Sequence, residues 1–454
     1  MSIVEKNRMS VRVFLKYLVA SVLSMAAVRL ANMADAALVG NIIGAEGLAG
    51  ITLCQPVLQV LFSLYTLLVL SSSVLMGIAI GKGDKERATR LLGFGLKAGL
   101  SIGIIICLSG SIFFDDLSQL LCKSDTIRPY ANAYLRVLLI GAIPQMAMYA
   151  LNQFVTVDGS PKTVSMIAVG GNILNVCLDV VFMKYFGWGI AGAALATLTM
   201  YVVCTLLLLR HRFKNTYSVV HAFTKYSNIL YLKGDVISFG LPLFLSAVLL
   251  TAQFYSNNTV ATVLLGDDGM VMMSVCMQLY DFSLIILTGA MNTAQSLGAL
   301  VRGEDNHQAL CKMYRYIYTF LALATSVYAG VIILFSTQIA GLLGVHSPSQ
   351  LSIVPHALPA QAVYLILMPM VYLLLPAYQF YERKSLAYIH SICVTLIPPI
   401  GFGIYALCDT TNCWWGFCIG ELTVIVILFV LTEVKRLKDK SLTPLLLIKT
   451  TKYS

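Results

Sequence analysis

Apolar stretches long enough to cross a bilayer recur along the whole chain, each closed by a charged, glycine-rich or proline-rich break. A helix needs about 20 apolar residues to span the hydrocarbon core. The pattern predicts twelve such helices, over 13–34, 52–80, 91–114, 131–156, 163–186, 188–209, 236–260, 270–301, 314–336, 357–381, 385–406 and 415–434. Ten-residue segments of alternating polarity are absent, which argues against an outer-membrane barrel. The expected fold is therefore an all-α polytopic membrane protein. Composition agrees: 58% of the 454 residues are hydrophobic and 11% charged, against about 25% charged in an ordinary soluble protein.

Charge adds an orientation. The net charge is +10, from 31 Lys and Arg against 21 Asp and Glu. With the N-terminus placed inside, 26 of the 31 basic residues fall in inner segments and four (Lys123, Arg128, Arg136 and Lys184) in outer ones. Basic residues mark the cytoplasmic side of a membrane protein, so both termini are expected in the cytoplasm and the chain in the cell membrane. The basic runs are then solvated loops, and no nucleic-acid partner is needed. The eleven Cys show no metal-binding spacing. Cys408 and Cys413 flank a polar loop and would pair only if that loop faced an oxidising space.

The chain also repeats. The segment Asn32-Met-Ala-Asp35 to Gly44 opens the first half, and Gln253 to Gly266 opens the second. Gly44 and Gly266 lie 222 positions apart, as do Asp35 and Asn257. Gly77 to Asp84 matches Gly298 to Asp305, Pro144 matches Pro369, and Trp188-Gly189 matches Trp414-Trp415-Gly416. Each half holds an even number of spans, so the copies share one orientation, and a cleft between two six-helix lobes is the expected substrate path. The lobes are expected at 1–212 and 236–454, joined by a cytoplasmic linker at 213–235.

Ionisable residues inside spans are costly and are functional candidates by default. Asp35 has Asn32 one turn before it. Asn172, Asn175 and Asp179 fall on one face of the fifth helix. A carboxylate flanked by amides in a low-dielectric cleft can hold a proton or bind Na⁺. Asp281, with Gln278 one turn away, serves either interhelical hydrogen bonding or substrate, and Gln253, Asn257 and Asn258 line the seventh helix. Glu421 is the weaker case, an acid expected to reach the outer interface. Arg29 is six residues before Asp35, about 120° away around the helix, which argues against a direct pair. It is either half of a structural ion pair with another helix, Asp179 being one partner, or a modulator of the site. Each of the six His reads as a loop or interface residue. Neither a nucleophile–base pair, a Walker A loop nor a zinc-protease motif is present, so no enzyme activity and no cofactor are expected.

The motifs resemble the multidrug and toxic compound extrusion (MATE) family. The resemblance is carried by Asn32 to Gly40 with Gly44 to Ala49, and by Asp158-Gly-Ser-Pro-Lys162. Asn172-Ile-Leu-Asn175-Val-Cys-Leu-Asp179 followed by Gly187-Trp-Gly189-Ile-Ala-Gly192 to Thr197 carries it most specifically. It implies that Asp35, Asn175 and Asp179 match the cation site of the prokaryotic DNA-damage-inducible F branch, with Thr197 and Asn152 in the same cavity. It implies export of amphiphilic or cationic compounds against H⁺ or Na⁺ by a monomer in the bilayer. A lipid-linked oligosaccharide flippase of the same superfamily is the alternative, disfavoured because such proteins carry a strongly basic central cavity and Arg29 is the one base read as lying well inside a span. The chain departs from the family at Ala20, where a proline is usual, and at Val28, where a polar residue is usual. The acidic pair of the norfloxacin-exporter branch is missing: Leu243–Gln253 and Met368–Gln379 contain no acid.

Overall fold

The computed structural model describes residues 10–122, 126–214, 233–343, 345–381 and 383–438. Twelve helices in it are long and apolar enough to cross a membrane, and no strand occurs among the described residues. They are α1 (Val11–Ile42), α2 (Glu46–Gly81), α3 (Lys85–Ile112), α4 (Arg128–Val157), α5 (Pro161–Tyr185) and α6 (Gly189–Lys214) in the first half. In the second half, α7 and α8 are the two parts of Lys233–Gly303, divided at Gly266, where φ is 71°. Then follow α9 (His307–Leu334), α10 (Pro348–Phe380), α11 (Lys384–Cys408) and α12 (Trp415–Lys438). The predicted count of twelve stands.

The repeat is legible in the backbone. Gly44 and Gly266 both adopt positive φ, at 108° and 71°. Gly83 and Asp305, again 222 apart, do the same at 77° and 53°. Asp84 caps α3 by accepting from the Arg87 amide at 2.9 Å, and Asn306 caps α9 by accepting from the Ala309 amide at 3.0 Å. Such caps satisfy amides that have no partner inside the helix. The equivalent of Asp84 is thus Asn306, one residue beyond the Asp305 that ends the matching sequence. Phe113 and Phe335, 222 apart as well, break their helices with similar dihedrals and open the short helices Phe114–Leu121 and Ser336–Leu342.

Two compact units form. The N-lobe holds Leu15–Phe244 with Ala299–Asp305, and the C-lobe holds Leu245–Gly298, the residues from Asn306 onward and the start of α1 up to Phe14. Of the linker expected at 213–235, residues 215–232 lie outside the described residues. The first turns of α7 belong with the N-lobe because Asp235 pairs with Arg87 at 3.1 Å and Gly240 packs directly on α2. A Cβ at Gly240 would stand 3.0 Å from the Leu67 carbonyl carbon. Phe14 goes the other way, its ring 5.4 Å from that of Tyr316.

Small residues set the closest approaches, as is usual where helices pack in lipid. In the N-lobe, Gly77-Ile-Ala-Ile-Gly81 lies against Ala299-Leu-Val-Arg-Gly303. A Cβ on Gly81 would stand 2.7 Å from the Gly303 Cα, and one on Gly303 would stand 2.7 Å from the Gly81 Cα. In the C-lobe, Gly416-Phe-Cys-Ile-Gly420 of α12 lies against α11, and a Cβ on Gly416 would meet the Gly401 carbonyl carbon and the Phe402 Cα at 2.7 Å. Cys408 and Cys413 are free thiols. The Cys413 Sγ donates to the Thr410 carbonyl at 3.2 Å.

Candidate functional site

Within the N-lobe, α1, α4, α5 and α6 bring polar side chains together in an apolar interior. Asp179 is 0% exposed, and neither of its carboxylate oxygens has a hydrogen-bond partner. Asp35 is half-buried, with its Oδ1 also buried and unpartnered. The two carboxylates lie within Coulombic reach of each other, and the Tyr134 hydroxyl of α4 feels both. A buried unpartnered polar group costs about 1–3 kcal/mol, and a charged one more. Left charged and bare, the two carboxylates would carry that cost uncompensated.

Local sequence explains the placement. Asp179 is in the last turn of regular helix before a wider π-turn over Val181–Tyr185, a feature that recurs at functional sites. Gly187 and Gly189 take positive φ to reverse the chain into α6. Gly192 then lets α6 close on that turn: a Cβ there would stand 2.9 Å from the Phe182 carbonyl carbon. Asn175 is buried and donates from Nδ2 to Thr197 Oγ1 at 3.3 Å, and Thr197 donates in turn to the Ala193 carbonyl at 3.2 Å. Thr197→Val removes the acceptor of Asn175, worth about 1 kcal/mol. Its expected result is a roughly fivefold rise in the cation concentration that half-saturates transport, with the maximal rate kept, measured by uptake into proteoliposomes.

The other expected residues separate. Asn172 donates from Nδ2 to the Ala168 carbonyl of its own helix at 2.7 Å, so the stripe reduces to Asn175 and Asp179. Asn32 is exposed. Asn152 is half-buried with an unpartnered Oδ1. Arg29 does not hydrogen-bond Asp179, whose oxygens have no partner. Arg29→Ala is accordingly expected to leave the pH profile of transport unchanged. A displaced profile would put the guanidinium back at the acid.

In the C-lobe, Asp281 is half-buried and Gln278 exposed, while Asn257 is 1% exposed with both amide atoms unpartnered. Glu421 is the correction. It is 1% exposed, enclosed by protein and not open to solvent, and both its oxygens lack hydrogen-bond partners. Tyr134 has no signal in the sequence, since a tyrosine inside an apolar run looks like any packed aromatic. His390 is also buried, its Nε2 bonded to the Val371 carbonyl at 2.9 Å, so it ties α11 to α10.

The comparisons fit this architecture. The MatE family model matches residues 20–181, which includes Asp35, Asn175 and Asp179. The multidrug export protein MepA of Staphylococcus aureus (strain bovine RF122 / ET3-1) is 26% identical over 206 residues, 45% of each chain. MepA of Staphylococcus saprophyticus is 24% identical over 204 residues, again 45% of each. The match thus spans about half the length of these curated relatives. The outward-facing conformation of a multidrug resistance MATE transporter superposes with a TM-score of 0.86 at 24% identity, covering 96% of this chain and 100% of that one. A MOP superfamily transporter from Pyrococcus furiosus, described by a binding pocket of reversed polarity, superposes at 0.84 with 25% identity, covering 94% and 96%.

Proposed function

We propose that the chain is a MATE-family secondary exporter, driving small amphiphilic or cationic compounds outward by alternating access against H⁺ or Na⁺. The observation that carries this reading is the Asp35–Asp179 pair: two acids in an apolar interior, within reach of each other and unsatisfied by hydrogen bonds. Two like charges so placed cannot both stay bare at low dielectric, so the pair binds a cation whenever it is shielded from water. Substrate would enter on the side opposite to the cation. The MepA relatives, which are multidrug export proteins, support the substrate class, and the Asp35, Asn175 and Asp179 set supports the DNA-damage-inducible F branch. The 26-to-4 distribution of basic residues supports a multi-pass plasma-membrane protein with both termini inside. A monomer suffices, because the acid pair and its neighbours lie within one lobe.

The test is transport of a fluorescent amphiphilic cation in everted vesicles. Imposing an H⁺ or Na⁺ gradient in the driving direction should move the dye against its own gradient, and collapsing that gradient should release it. Accumulation indifferent to both gradients would refute cation coupling.

A further inference from the structure

One sequence motif has no part in the acid site: Asp158-Gly-Ser-Pro-Lys162, the turn between α4 and α5. It closes one helix and opens the next. The Ser160 amide donates to the Val155 carbonyl at 3.2 Å and the Gly159 amide to the Thr156 carbonyl at 3.1 Å, the pair of bonds that ends a helix on a left-handed residue. Gly159 is that residue, at φ 92°. The Ser160 carbonyl then accepts from the Thr163 and Val164 amides at 3.1 and 3.3 Å. Pro161 takes the first position of α5, where a missing N–H is no loss.

The N-terminal end of α1 is fastened to this turn. Lys16 donates from Nζ to the Gly159 carbonyl at 3.0 Å. Tyr17 is buried beside it, its hydroxyl within Coulombic reach of Asp158. A Cβ on Gly159 would stand 3.9 Å from the Tyr17 oxygen. From this point α1 and α5, both odd-numbered spans, run the same way across the membrane. α1 is unbroken over Val11–Ile42 and contains no proline, and α5 is regular over Pro161–Val180. Asp35 is 18 residues beyond Tyr17, and Asp179 is 18 residues beyond Pro161. At about 1.5 Å per residue, both acids stand about 27 Å from the turn. The fastening therefore sets the register at which the carboxylates meet, and a slip of one helical turn would part them by about 5.4 Å. In the second half, the positions 222 on from Lys16, Tyr17 and Asp35 are Ser238, Phe239 and Asn257. The helix that lacks the acid also lacks the lysine and the tyrosine.

We propose that Lys16 is a positioning residue for the acid pair. Its bond to the α4–α5 turn, with Tyr17 packed beside it, pins α1 to α5 at one end and holds Asp35 level with Asp179. The proposal rests on the reading of Asp35 and Asp179 as the cation pair, and the experiment separates the two.

The experiment has two readouts on the full-length protein. The first is geometric: the rate of iodine-catalysed disulfide formation in Asp35→Cys/Asp179→Cys, followed by mass spectrometry of the joined peptides. Adding Lys16→Met should slow it about tenfold or more, because reaction between two held groups is steep in their placement. Gly159→Ala, which strains the turn from the other side of the contact, should slow it too, and Lys16→Arg should keep the parent rate. The second readout is transport with both acids intact. Lys16→Met should raise the half-saturating cation concentration about tenfold, the scale of one hydrogen bond from a charged group, with the maximal rate kept, and Lys16→Arg should restore it. A lysine that serves folding alone would lower the yield of protein and leave that concentration unmoved. Disulfide rates equal to the parent in both Lys16→Met and Gly159→Ala, or an unmoved half-saturating concentration in Lys16→Met, would overturn the proposal. Transport indifferent to cations in the unmodified protein would instead refute the coupling reading, and the disulfide rates would still judge the anchor.

Discussion

Asp179→Asn is expected to abolish gradient-driven efflux, by at least ~100-fold, the kinetic equivalent of about 3 kcal/mol, while the protein still inserts and elutes as wild type. The amide is isosteric with the carboxylate it replaces and sits where no hydrogen bond constrains it, so folding should not suffer. What is lost is the ability to exchange a cation, which a neutral amide lacks at every pH. Asp35→Asn should behave similarly but less completely, because Asp35 is half-buried and Asp179 can still bind alone. Downhill exchange of substrate across the membrane should survive in both variants. Efflux in everted vesicles and counterflow in proteoliposomes check the two halves of the prediction, and loss of both in Asp179→Asn would indicate a structural role.

The second large effect concerns the crossing of Gly81 and Gly303. Each glycine faces the backbone of the other, so an added Cβ meets atoms that cannot rotate away. Gly303→Leu or Gly81→Leu should cost about 3 kcal/mol or more, at the upper end for overpacking, and should lower the yield of monodisperse protein sharply. Two controls keep the result specific. A Cβ on Gly93 would meet nothing within 4 Å, and the backbone there is ordinary helix, so Gly93→Ala should be silent. Gly83→Asp should also be mild, since Asp305 already holds that conformation at the equivalent position. Size-exclusion profiles and thermal midpoints in detergent read all four variants.

Much of this architecture is legible in the residues, for a physical reason. In a membrane the apolar window is long and the exceptions are few, so twelve helices and the acids Asp35 and Asp179 stand out by their cost alone. The repeat is legible because positive-φ and close-packing positions accept few residue types, which keeps Gly44 with Gly266 and Gly81 with Gly303 in register. Helical spacing alone misjudges Asn172: it shares a face with Asn175 and Asp179, but its amide turns back to the Ala168 carbonyl. Glu421 is undervalued by hydropathy because its depth is set by Gly416 and Gly420 against α11, a contact between helices that a single-helix window does not register. The pairing of Arg29 with Asp179 fails for a like reason, since which helix faces an arginine is a tertiary fact. The Arg87–Asp235 pair and Gly240 tie the start of α7 to the N-lobe through contacts made at long range in the sequence, which no local pattern announces.

If Asp35 and Asp179 couple transport, substrate and cation must compete through them. Cation release on adding substrate to purified protein reads that competition without a membrane. It can be followed in weakly buffered detergent as acidification or as loss of bound radiolabelled Na⁺. Wild type should release the cation, and the Asp35→Asn/Asp179→Asn double variant should release none. Release undiminished in that double variant would show that the two acids do not hold the exchanged cation.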